Sequence, residues 1–136
     1  MACKLIQTIK FTTIAVAGGL LALSTTTIAA DASKEISTAA THAGLAAAAT
    51  VIDTVHVHLH HTVNCLVGPS GAGYDAKQMD PCKGMGGGAI PDTSDAAKKK
   101  ALEDAVSKAN AGLAANDLTA AKKAAGDTEA ALKGAM

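Results

Sequence analysis

The chain has 136 residues, in which twelve lysines and no arginine balance twelve acidic residues, and Phe, Trp and Tyr together make up 1%. A nucleic-acid binder needs a positive face for phosphates and aromatics on which bases stack, and this composition excludes both. Ala, Leu, Val and Ile must build the core, which points to one thin-cored domain rather than several.

Residues 1–30 read as a secretory signal peptide. Lys4 and Lys10 come first, then an apolar run from Phe11 through Leu23, then small residues ending Thr27-Ile28-Ala29-Ala30-Asp31-Ala32. That order of positive end, short apolar core and small-residue cleavage site is the export pattern. Cleavage is expected after Ala30, with Ala32 as the alternative. A membrane span needs roughly 20 apolar residues. This run is shorter and interrupted by Gly18-Gly19, so no stable membrane insertion is expected after cleavage. The mature chain, residues 31–136, is then periplasmic or secreted. Losing Lys4 and Lys10 leaves ten lysines against twelve acidic residues, a slightly acidic protein.

Residues 33–67 contain no proline and only Gly44, which predicts a single long helix with Ser33 as N-cap and Glu35 in the first turn, where the helix dipole favours a negative charge. At about 100° per residue, Leu45, Ile52, Val55, Leu59, Val63 and Leu66 share one apolar sector. The alternation Val55-His56-Val57-His58-Leu59-His60 also fits a strand, but the alanine-rich approach and the wider stripe favour helix. Gly68-Pro69 ends this helix. Residues 68–93, rich in Gly and Pro, form a flap; loops of that length are uncommon in compact domains unless they are functional or disordered.

Residues 94–134 predict an antiparallel helical hairpin. Ala97, Ala101, Leu102, Ala105, Val106, Ala109 and Leu113 repeat at helical spacing. Asn116 or Asp117 caps the next helix, in which Leu118, Ala121, Ala125, Thr128 and Leu132 line one face. The expected fold is therefore all-α: a long N-terminal helix plus a C-terminal hairpin, three or four helices in all, with a homodimer as one way to complete the bundle.

Two cysteines, Cys65 and Cys82, remain in the mature chain. In an oxidising compartment such a pair forms a disulfide, and closing a loop of about 18 residues contributes around 3 kcal/mol. The alternative is that a thiolate ligates metal.

All five histidines fall within residues 33–67, four of them in the span 56–61. On one helix, Asp53, His56 and His60 lie within about 60° of arc, the i, i+3, i+7 spacing that lets two imidazoles and a carboxylate address one cation. His58 and His61, with Cys65, occupy a second face and form a secondary ligand pair. On a continuous helix His42 stands about 27 Å from His60 and cannot share the site. Imidazole donors suit copper, nickel and zinc; Met79 and Met85 in the flap offer soft donors for Cu⁺. Asn64 is placed to hydrogen-bond the flap.

The hairpin rhythm from Ala101-Leu102-Glu103-Asp104-Ala105 to Asn116-Asp117-Leu118-Thr119-Ala120-Ala121-Lys122-Lys123, with the export signal and helical histidines, resembles the small periplasmic metal-binding proteins. The resemblance implies a helical bundle that sequesters copper or a similar metal outside the cytoplasm. It covers architecture and transfers no ligand assignment.

The leading functional expectation is transition-metal binding through the histidine row. One alternative is a structural or interaction protein with pH-responsive histidines, since imidazoles titrate near pH 6.5. Another is non-covalent haem binding through an axial histidine, without any Cys-x-x-Cys-His attachment. No nucleophile, base and orienting group can be assembled from the spacing, and Gly86-Gly87-Gly88 lacks the strand-loop-helix context of a phosphate cradle. An enzyme is not expected.

Overall fold

The computed structural model describes residues 30–136. The expected signal peptide lies outside the described residues except for its last position. The described residues form five helices and no strand: α1 (Ala32–Ala48), α2 (Ile52–Val67), a single-turn α3 (Ala89–Asp92), α4 (Ala96–Ala114) and α5 (Leu118–Gly134). Four long helices pack in the ring order α1, α2, α4, α5, with α3 wedged against α1, α2 and α4. None of the described helices is long and apolar enough to cross a membrane.

The expected single helix over 33–67 is instead two. Ala49 (φ −61°, ψ 152°) and Val51 (φ −131°, ψ 144°) are extended, and the chain turns back on itself between them. The β-branched run Thr50-Val51-Ile52 is a weak helical stretch. A continuous helix of this length would extend about 52 Å and leave most of its apolar stripe in water. Folding back lets Ala39, Ala43 and Ala46 of α1 and Val55, Leu59, Val63 and Leu66 of α2 become fully buried. Leu45, placed in the apolar sector by the continuous-helix reading, is 46% exposed in the hairpin. The N-cap is Asp31, whose side chain accepts the Lys34 amide, rather than Ser33.

The second hairpin follows its sequence closely. Asp95 caps α4 by accepting the Lys98 amide at 2.7 Å, and Asp117 caps α5 by accepting the Ala120 amide at 2.9 Å. Ala105, Ala109, Ala121 and Ala125 are fully buried, so the helices approach closely with small side chains.

The flap is ordered by three ties. Cys65 and Cys82 form a disulfide. Asn64 is buried and donates through Nδ2 to the carbonyls of Asp75 (3.0 Å) and Met79 (3.2 Å), while its Oδ1 accepts the Asp75 amide at 2.9 Å. Where α2 ends and α3 begins, Gly68 (φ +67°) and Gly88 (φ +114°) meet backbone to backbone. A Cβ on Gly88 would stand 2.5 Å from the Gly68 nitrogen, and one on Gly68 would overlap the Gly87 carbonyl oxygen. Both positive φ and the contact itself require glycine here.

Candidate metal centre

The turn at Ala49–Val51 brings His42 of α1 across to His58 and His61 of α2. The His42 and His58 Nδ1 atoms are 3.2 Å apart. The ring centroids are 5.4 Å apart for His42–His58, 5.1 Å for His42–His61 and 5.6 Å for His58–His61, with His61 edge-on to both partners. Each imidazole offers one nitrogen, and the three nitrogens lie within 4.8 Å of one another. Metal–nitrogen bonds of about 2.0–2.1 Å in a tetrahedral shell place ligand nitrogens about 3.3–3.4 Å apart. The His42–His58 spacing of 3.2 Å is close to that edge.

The helices hold these rings in register. Thr62, fully buried, donates to the Ala39 carbonyl across the hairpin and shares its hydroxyl with the His58 carbonyl at 3.0 Å. His61 is 5% exposed, and its Nδ1 is buried without a hydrogen-bond partner in the protein. His42 and His58 are half-buried, which leaves an approach from solvent. Burial lowers the pKa of His42, and the neighbouring His61 and His58 lower it further. His61 is lowered in the same way by burial, then by His58 and His60. Imidazoles held neutral keep a lone pair free, the state a metal ion requires.

The ligand row expected from the sequence is placed differently. Asp53, His56 and His60 all lie on α2, but among the described residues they are not one of the groups of three metal-capable donors gathered together. Asp53 is exposed. His56 is half-buried, with Nε2 unpartnered. His60 turns to the flap, where its Nδ1 is 3.8 Å from Asp75 Oδ2. The secondary pair His58 and His61 becomes the centre of the cluster. His42, set aside on the assumption of an unbroken helix, supplies the third donor. The β-branched run Thr50-Val51-Ile52 only weakens the helix there; the reversal that brings His42 in is set by burial of α1 against α2.

Cys65, Asp80 and Cys82 form a second donor group within 4.8 Å, but the two sulfurs are bonded to each other and do not ligate in that state. Met85 lies beside α1, with its sulfur 4.0 Å from the Thr38 hydroxyl. Met79 is 63% exposed.

Comparison with protein-family models, with curated proteins and with solved structures finds no match.

Proposed function

We propose that this is an exported metal-binding protein that takes up one transition-metal ion through His42, His58 and His61. The observation that carries the reading is the convergence of three imidazole nitrogens from two helices within 4.8 Å. Helices of one hairpin position the donors, and burial lowers the pKa of His42 and His61. A fourth position is left to water or to a delivered ligand, the pattern of an exchangeable rather than a closed structural site. The donor chemistry favours Cu²⁺, Ni²⁺ or Zn²⁺. Export agrees with the Cys65–Cys82 disulfide, since such bridges persist in oxidising compartments, and with the signal-like residues 1–30. The resemblance to small periplasmic metal-binding proteins fits the same role of capture or buffering, without catalysis.

Titration of the oxidised mature protein with Cu²⁺, Ni²⁺ and Zn²⁺ tests the site. One equivalent should bind at least one of these ions, and His42→Ala should weaken that affinity at least about a hundredfold, a loss of about 2.7 kcal/mol. His56→Ala with His60→Ala should leave it nearly unchanged. Unaltered binding by His42→Ala, or no binding by the parent protein, overturns the proposal.

A further inference from the structure

At the opposite end of α1 from the bend, the structure buries a carboxyl group that has no metal-binding role. Glu35 is 1% exposed. Its Oε1 accepts the Gly88 amide at 3.1 Å, while Oε2 is buried with no hydrogen-bond partner. Asp92 of α3 faces the same glycine run, and its Oδ2 accepts the Gly87 amide at 2.7 Å. The two carboxyl groups close around Gly86. A Cβ there would stand 3.0 Å from Glu35 Oε1 and would overlap Asp92 Oδ2.

We propose that Glu35 and Asp92 share one proton, and that this proton latches residues 86–92 onto α1, so that its loss loosens one wall of the groove between that segment and α4. Two carboxyl groups that close on one glycine, Glu35 buried and Asp92 half-buried, repel each other when both ionise. A proton on one of them supplies the O–H that joins the pair, and two backbone amides complete the ring of bonds. The amide donors argue for a proton rather than a metal cation, because N–H groups aimed at the carboxylates would repel a cation placed between them.

The charges that bear on Glu35 from the packed elements are also acidic, Asp92 from α3 and Asp80 from the flap. On α1 itself, Lys34 turns outward to Asp31 at 3.5 Å. Among the described residues no Lys or His nitrogen from α2, α4 or α5 forms an ion pair with Glu35. Burial first, and then these acidic neighbours against the opposing Gly88 hydrogen bond, push the carboxyl up to about 7.

The latched segment carries Gly87, Ile90 and Pro91, which with Val67, Gly71 and Val106 line an apolar groove of about 600 Å³. A latch that opens near neutral pH therefore acts on this apolar groove.

Amide hydrogen exchange at Gly87 and Gly88, corrected for the intrinsic pH dependence of exchange, tests the latch in the full mature protein. Between pH 5.5 and 8.5, protection of both amides should fall at least about tenfold in the parent protein. Glu35→Gln, which keeps the shape and a donor without ionising, should hold protection constant across that range. Equal protection of the parent at both pH values overturns the latch, and so does an undiminished pH dependence in Glu35→Gln. If that variant fails to fold, the carboxyl ¹³C titration of Glu35 decides in the parent and in Asp92→Asn. A midpoint near 7 that drops on removing Asp92 supports the shared proton. A midpoint near 4.5 in the parent, or one unmoved by Asp92→Asn, contradicts it.

Discussion

The two hairpins of this bundle have similar lengths and the same alanine-rich packing, yet they are stabilised in opposite ways. The α4–α5 hairpin keeps its polarity outside. Aspartates cap both helices, Lys100–Asp104, Lys123–Asp127 and Lys133–Glu129 pair along exposed faces, and Thr128 is its one buried polar residue. The α1–α2 hairpin takes Glu35, His61, Thr62 and Asn64 inside. Some atoms of those side chains have no protein partner, and an unsatisfied buried polar group weakens a fold. The hairpin that carries such groups is also the one that carries the candidate site. The α4–α5 hairpin packs against it as a scaffold.

If this contrast is right, the site-bearing half depends on ties the scaffold half does not need. Reduction of Cys65–Cys82, or Cys65→Ala with Cys82→Ala, should lower unfolding free energy by around 3 kcal/mol through loss of the loop constraint, as read by denaturant titration. Gly88→Ala should follow at about 2 kcal/mol, because φ of +114° and the Gly68 backbone leave no room for a Cβ. Asp117→Ala should cost about 1 kcal/mol by removing one α5 cap. Lys123→Ala, breaking one exposed pair, should change stability by less than about 0.5 kcal/mol.

The pH dependence of the metal-free protein sharpens the comparison, because the two buried sites respond with opposite signs. The pKa values of His42 and His61 are lowered from 6.5 on folding, so the unfolded chain binds more protons. Their contribution is intact above pH 6.5 and is lost as pH falls below it. Glu35 is raised from 4.5 to about 7, so the folded state binds more protons between those values. Its contribution is intact below pH 4.5 and is lost as pH rises toward 7. Glu35→Gln should therefore uncover a stability that climbs with pH up to about 6.5. Replacing His42 and His61 by leucine should uncover one that declines over pH 4.5–7. Chemical denaturation across pH 4–8 checks both slopes, and the same slope in both variants would break the assignment.

The same contrast explains how much could be read from the sequence. The scaffold hairpin is specified locally: a cap at Asn116 or Asp117, the Leu102–Ala105–Ala109 face and the Ala121–Ala125–Leu132 face follow from spacing alone, and the structure has Asp117 as the cap and both faces buried. The disulfide and the Asn64 tie to the flap were also legible, one from cysteine pairing and one from position on the helix. The break at Ala49–Val51 was not, because no glycine or proline marks it. It is decided by burial of α1 against α2, a tertiary effect that local propensity does not encode. On an unbroken helix His42 stands far from the other histidines, and the Asp53–His56–His60 row is richer than the His58–His61 pair. From the sequence Glu35 is a first-turn charge favoured by the helix dipole. Its burial comes from the flap folding back through Gly88, which only the complete chain reveals.

The most direct test of the central claim is imidazole nitrogen NMR of the oxidised mature protein as Zn²⁺ is added. The account predicts that the ring resonances of His42, His58 and His61 move together and saturate at one equivalent, with those of His56 and His60 left in place. Movement of His56 and His60 instead, or five histidines unchanged at excess metal, would contradict it.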